Sequence, residues 1–155
     1  MRFVILAALL IPAPGNAQEY KLGQLAVIHP WARATPTRAT VAGGYLTVRN
    51  TDRFDDNLIG GSSPVAERLE FLESTIENGV ARMRSLTTVP IGPKSTTEVK
   101  LESVHIMFVK PVRPLRDGER IEATLVFEKA GAVSVEFEIY LLGGSPGVPG
   151  HQHRP

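Results

Sequence analysis

Residues 120–140 read RIEATLVFEKAGAVSVEFEIY, and this stretch decides the fold. Apolar and polar residues alternate along it, which is the pattern of a β-strand with one buried and one solvent-facing side. The apolar side carries Ile121, Ala123, Leu125, Phe127, Val133, Val135, Phe137 and Ile139, and the other side carries Glu122, Glu128, Glu136 and Glu138. Ala130-Gly131 supplies residues suited to a tight turn. The stretch therefore predicts a hairpin of two antiparallel strands, Arg120 to Glu128 and Val133 to Tyr140.

Short runs of the same kind occur through the rest of the chain. They cover residues 25–31, 45–49, 57–59, 68–76, 80–86, 98–101 and 104–109. Asn78-Gly79 and Asp117-Gly118 mark further tight turns. No window shows a sustained helical period. We therefore predict an all-β fold, an antiparallel Greek-key β-sandwich of about seven to nine strands.

The two ends of the chain differ from this region. Residues 1–17 combine Arg2, an apolar run and the small residues Gly15-Asn16-Ala17, which predicts a signal peptide cleaved before Gln18. An uncleaved anchor is the alternative, although the run falls short of the ~20 apolar residues of a membrane span. Residues 143–155 are rich in Gly, Pro and His and predict a flexible tail. We expect one domain, residues 18–142, that is periplasmic and monomeric and has no membrane span once the signal is removed.

The composition excludes several classes of function. The chain has 17 Lys and Arg against 16 Asp and Glu, so no net field favours nucleic acid as a partner. It has no cysteine, which removes disulfides and every thiolate metal site. No nucleophile motif such as Gly-x-Ser-x-Gly is present, and we predict that the protein is not an enzyme. A metal would have to be held by His, Met, carboxylate or backbone groups.

Methionine and histidine form the most informative pattern. Without residues 1–17 only Met83 and Met107 remain, and His105 lies two residues before Met107. A strand would place His105 and Met107 on one side. A thioether beside an imidazole suits Cu(I), which prefers soft ligands.

The turn at Asn78-Gly79 predicts which residues share a face with Met83. If it is a two-residue hairpin loop, the strands on either side are fixed in register. Opposite pairs are then Glu77–Val80, Ser74–Met83 and Leu72–Ser85. Leu72 and Met83 become diagonal neighbours on one face, whereas Glu73 points to the other.

This spacing resembles that of the PCuAC family of copper chaperones. Its ligand pattern is a His, ten residues, a Met, twenty-one residues and a His-x-Met, and here Met83 is followed by twenty-one residues and His105-Ile106-Met107. Further similar segments lie at residues 29–36, 44–50, 63–68, 114–118 and 125–131. The resemblance covers Val27 to Tyr140, most of the chain after residue 17.

The resemblance implies a cupredoxin-like or immunoglobulin-like sandwich that holds Cu(I) through Met83, His105 and Met107. It further implies delivery to the copper centres of respiratory oxidase, with an oxidase subunit or another copper chaperone as recipient. Leu72 stands where the family has its first His ligand. A leucine has no lone pair to offer, so the four-ligand site does not carry over whole.

Alternatives remain open at this stage. His151 and His153 of the tail could bind Cu(II) with backbone groups or could simply be solvated. The chain could also be a metal-free relative that binds a protein partner through an apolar surface around Leu72 and Met83. His29 is predicted to pack near the only tryptophan, and the turn holding Asp52, Asp55 and Asp56 is predicted to be solvated and not a calcium site.

Overall fold

The computed structural model describes residues 18–141, and this part of the chain contains strands and no helix. The strands are β1 (Glu19–Leu22), β2 (Leu25–Arg33), β3 (Val41–Asn50), β4 (Asp56–Ser62), β5 (Ala66–Glu77), β6 (Val80–Leu86), β7 (Val89–Ile91), β8 (Ser95–Val99), β9 (Val104–Pro111), β10 (Arg120–Phe127) and β11 (Gly131–Tyr140). The short strands β1 and β7 were not predicted, and β8 begins earlier than predicted. Residues 1–17 and the tail lie outside the described residues, so the signal peptide and the flexible tail stay predictions. Within residues 18–141, no segment is a helix able to cross a bilayer.

The strands form one continuous sheet that closes into two layers. Its order is β6-β5-β9-β3-β2-β11-β10-β4-β7, with β1 added to β2 and β8 added to β3. All pairs are antiparallel except β2 with β11, which is parallel. Strands β4 and β5 stand far apart in this order, yet they contact each other. The sheet therefore curls over itself, which confirms the predicted all-β sandwich.

The core lies between the two layers. Of the predicted apolar side of β10 and β11, every residue but Val133 is at most 2% exposed, Phe127 and Phe137 included. The rings of Phe108 on β9 and Phe137 on β11 meet edge to face, with centroids 5.2 Å apart. Gly44 permits this contact, because a Cβ there would lie 2.7 Å from the Phe108 ring. Burial of these side chains supplies the main stabilisation of a chain without disulfides.

An aromatic cluster forms where β2 is irregular. The register of β2 against β3 shifts between Ile28 and Trp31, and His29 takes a φ of 49°. Beyond the shift the Trp31 ring lies 4.5 Å from the Tyr45 ring and 6.0 Å from the Tyr140 ring, centroid to centroid. His29 stacks on Tyr140 at 6.4 Å. The predicted packing of His29 near the tryptophan is thus observed.

The acidic turn before β4 has a structural role. The Asp56 carboxylate accepts hydrogen bonds from the backbone N–H groups of Asn57, Lys129 and Ala130, at 2.8 to 2.9 Å. The Lys129 ammonium donates to Asp55 at 2.9 Å and lowers the pKa of that carboxyl group. These carboxylates hold the β10–β11 turn against β4, and a calcium role has no support.

Candidate metal centre

The β5–β6 hairpin has the register that the sequence predicts. Asn78 and Gly79 both have positive φ, 52° and 77°, as a two-residue hairpin turn requires. The observed pairs include Glu77–Val80, Ser74–Met83 and Leu72–Ser85. Leu72 and Met83 therefore lie on the same face of the hairpin, and this prediction is confirmed.

The pairing of β5 with β9 brings the remaining residues to that face. Leu72 lies opposite His105, and Glu70 lies opposite Met107. Side chains of opposite residues project to the same side of a sheet, and so do those two apart along a strand. We call this side the outer face; it carries Glu70, Leu72, Ser74, Met83, Ser85, His105 and Met107. The other side of these strands includes the buried residues Phe71, Ile106 and Phe108.

Near the Asn78-Gly79 turn, the charged side chains lie on the opposite side from the outer face. Arg84 pairs with Glu73, and Arg82 pairs with Glu77 at 3.2 Å. The odd-numbered Glu73 shares its side with Val104 on β9 and not with His105. Glu73 is therefore no substitute for the ligand missing at position 72, as predicted.

His105 is the most unusual side chain of the outer face. It is 0% exposed, and neither ring nitrogen has a hydrogen-bond partner. Burial lowers the pKa of His105, and the Ser103 backbone, which lies near the ring without the geometry of a full hydrogen bond, acts in the opposite direction. The imidazole is therefore neutral at physiological pH and keeps one nitrogen lone pair for a metal. Buried polar groups in proteins are nearly always paired, so the two unpaired nitrogens make His105 a candidate ligand, although His29 Nε2 and Arg33 Nε are also buried without a partner.

Met107 lies next to His105 along the outer face and is half-buried. On its other flank it is paired with Gly43 of β3. A Cβ on Gly43 would lie 2.4 Å from the Tyr45 hydroxyl, so the phenol ring extends over this glycine. The glycine thereby lets Tyr45 form one wall of the site, with Glu70 and Leu72 forming the opposite wall.

Met83 shares the face but stands apart from the other two residues. It is 60% exposed and lies on β6, the edge strand of the sheet. Two strand spacings, about 10 Å, separate β6 from β9. The structure thus places His105 and Met107 side by side and Met83 two strands away, with Leu72 between them. Convergence of all three donors on one ion stays a prediction.

The donor types restrict which metals the site suits. Within residues 18–141, no group of three His, Asp or Glu side chains is arranged to hold a metal. A metal on the outer face would therefore depend on thioethers as well as on His105. His151 and His153 fall outside the described residues, and their role stays a prediction.

Two residues of the site were missed by sequence reasoning. Glu70 was not considered, because nothing in the local pattern shows which residues of β5 lie opposite Met107. Tyr45 was assigned to a strand only, and its position depends on the absence of a side chain at Gly43. The spacing of β5 and β9 along the chain gives no register, so only the fold could reveal either neighbour.

Solved structures of the same architecture are copper-related domains. The copper-bound PCuAC domain of PmoF2 is 28% identical, with a TM-score of 0.70 over 81% of this chain and 99% of that domain. The apo PCuAC domain of PmoF1 is 26% identical, with a TM-score of 0.71 over 81% of this chain and all of that domain. The Cu(I) form of DR1885 from Deinococcus radiodurans, at 23% identity and a TM-score of 0.58, covers 71% of this chain and 74% of its own and shares the fold.

Sequence comparison gives the family. No curated protein matches the chain. The profile of the LpqE-like lipoproteins matches residues 25–139, which spans the sandwich from β2 to the end of β11. The resemblance to PCuAC domains seen in the sequence is confirmed by the structural matches. The chain accordingly belongs to the LpqE-like family and has the fold of a PCuAC domain.

Proposed function

We propose that this protein is a periplasmic copper chaperone that holds Cu(I) on the outer face through Met83, His105 and Met107. It would then deliver the ion to a copper centre of respiratory oxidase, received by an oxidase subunit or by another copper chaperone. One observation carries the proposal: His105 is fully buried, its two ring nitrogens are unpartnered, and a thioether lies beside it.

The chemistry of the donors favours copper over other metals. Cu(I) accepts thioether and imidazole ligands and tolerates low coordination numbers, whereas calcium and magnesium require oxygen ligands. A neutral imidazole binds without first losing a proton, and the lowered pKa of His105 keeps it neutral. The copper-bound PCuAC domain of PmoF2 supports the choice of metal, since it is 28% identical to this chain.

The position of Met83 suits a protein that must release its cargo. Its side chain is largely exposed on an edge strand, while His105 is buried. A recipient protein can replace an exposed thioether first and then take the ion from the remaining ligands. Leu72 adds no donor, and a site with three donors holds copper less tightly than one with four.

Cu(I) titration of the mature chain against a competing chelator tests the proposal. We expect about one Cu(I) per chain, and we expect His105→Ala and Met107→Ala each to abolish that binding. His29→Ala serves as the control, since His29 stacks on Tyr140 in the aromatic cluster and lies outside the proposed ligand set. Retention of Cu(I) at the wild-type affinity in both site variants would contradict the assignment.

The tail histidines are proposed as an auxiliary Cu(II) site. His151 and His153 are separated by one residue, a spacing that allows both imidazoles to bind one ion with backbone groups. Replacing both by Ala should remove one Cu(II) equivalent and leave Cu(I) binding intact. If the double variant binds as much Cu(II) as the wild type, the tail has no such role.

A metal-free docking module is the second candidate function. The outer face of the hairpin exposes apolar side chains, with Ile76 80% and Met83 60% accessible to solvent. Exposed apolar surface of this kind is typical of a protein contact. The chelator titration separates the two candidates, because a docking module takes no copper from the chelator.

A further inference from the structure

We infer that Glu70 is an oxygen ligand of the same site, so that the protein binds Cu(II) on the outer face as well as Cu(I). This inference rests on the proposed function and assigns the site a donor outside its Met and His set. It follows from the β5–β9 register, in which Glu70 is directly opposite Met107.

The register places Glu70 in a compact block of four positions. The Ser74 N–H donates to the Ser103 carbonyl at 2.8 Å, and hydrogen-bonded pairs alternate along antiparallel strands, so Leu72–His105 and Glu70–Met107 are also hydrogen-bonded pairs. In such pairs the Cα atoms are about 5.5 Å apart. The block consists of Glu70, Leu72, His105 and Met107. Three of its four side chains carry a donor atom, and only Leu72 does not.

His105 supplies the independent sign of a ligand at this block. Its imidazole is fully buried, and both nitrogens are unpartnered. The side chains next to it on the outer face are Leu72 across the pair and Met107 along the strand, and neither offers a strong hydrogen bond. Glu70 is the diagonal neighbour of His105, and such neighbours lie about 7–8 Å apart, within reach of long side chains that bind one ion.

The Glu70 carboxylate is available for binding. It accepts a hydrogen bond from the Arg68 guanidinium at 2.7 Å, but both side chains are substantially exposed, at 36% and 49%. Exposed ion pairs of this kind contribute little. Arg68 also pairs with Glu67 at 3.1 Å, so it keeps a carboxylate partner when Glu70 turns to a metal.

The donors divide the site into a soft part and a hard part. Thioethers of Met83 and Met107 favour Cu(I), whereas a carboxylate with an imidazole favours Cu(II). His105 belongs to both donor sets. In place of the first imidazole of the PCuAC pattern, at position 72, this chain offers an anionic oxygen two residues away along β5, and that change shifts the preference toward oxidised copper.

The test compares both oxidation states in Glu70→Gln, which keeps the shape of the side chain and removes its charge. All chains carry His151→Ala and His153→Ala so that the tail does not bind Cu(II). Cu(I) and Cu(II) dissociation constants are measured by chelator competition, with Trp31 fluorescence as a second readout because Trp31 contacts Tyr45. We expect Glu70→Gln to weaken Cu(II) binding at least about tenfold more than Cu(I) binding, as loss of a supporting ligand contact does.

Glu73→Gln is the matched control, since Glu73 lies on the same strand, faces the other side and pairs with Arg84. It should leave the ratio of the two affinities unchanged. The inference would be overturned if Glu70→Gln weakens Cu(I) and Cu(II) binding equally or leaves the ratio of the two affinities unchanged. It would also be overturned if the parent chain binds no Cu(II). The parent chain could instead bind no Cu(I) and yet bind Cu(II) in a way that depends on Glu70. That outcome would reject the proposed chaperone function and uphold Glu70 as a ligand.

Discussion

Replacement of His105 by leucine should stabilise the copper-free protein while it abolishes copper binding. The imidazole is 0% exposed and has no hydrogen-bond partner on either nitrogen. A buried polar group without a partner costs stability that an apolar side chain of similar size does not cost.

The size of the effect follows from the two unpaired nitrogens. Each buried unsatisfied group costs about 1–3 kcal/mol, and the neutral ring has one donor and one acceptor. We therefore expect His105→Leu to raise the free energy of unfolding by about 2 kcal/mol. For a domain of this size that corresponds to a rise in Tm of roughly 6 °C.

Thermal unfolding with and without Cu(I) measures both effects. The wild type should gain stability from Cu(I), by about 2.7 kcal/mol at a free concentration one hundred times the Kd, and His105→Leu should gain none. Met107→Leu is the matched control: it conserves volume and should change apo stability by less than about 1.5 kcal/mol, yet also lose the copper response. A fall in apo stability in His105→Leu would refute the reasoning, because it would show that the imidazole is satisfied in the folded protein.

Three further predictions concern the same face. Leu72→His places a second imidazole opposite His105. It should raise Cu(I) affinity by at least about tenfold in a chelator titration, which is the scale of a supporting ligand contact. A Cu(I) affinity equal to that of the wild type would show that position 72 does not reach the metal. Burial lowers the pKa of His105 below its usual 6.5, so the apo protein should lose stability as pH falls below 6.5 toward the lowered pKa. Denaturant titrations should show this loss in the wild type but not in His105→Leu. Gly43→Ala should displace Tyr45, because the new Cβ would clash with the Tyr45 hydroxyl. The change should alter Trp31 fluorescence and lower the free energy of unfolding by about 1–3 kcal/mol. An unchanged emission spectrum would show that the position of Tyr45 does not depend on Gly43.

The sequence was sufficient wherever the determining signal was local. Alternation along residues 120–140 predicted a hairpin that is found with the expected side buried. The turn at Asn78-Gly79 predicted the full register of β5 against β6, because a two-residue loop fixes which residues are opposite. The short strands β1 and β7 carry no long alternating pattern, so the sequence did not predict them.

What the sequence determined is therefore the all-β class and the β5–β6 register, while the assignment of Met83, His105 and Met107 as metal donors stays a prediction. Only the tertiary structure decided that β5 pairs with β9, which sets Leu72 against His105 and Glu70 against Met107. It also decided that His105 is buried without a partner. Pairing between strands separated by long stretches of chain depends on how the whole sheet closes around its core, and burial of one side chain depends on all its neighbours, so neither is encoded in a local pattern.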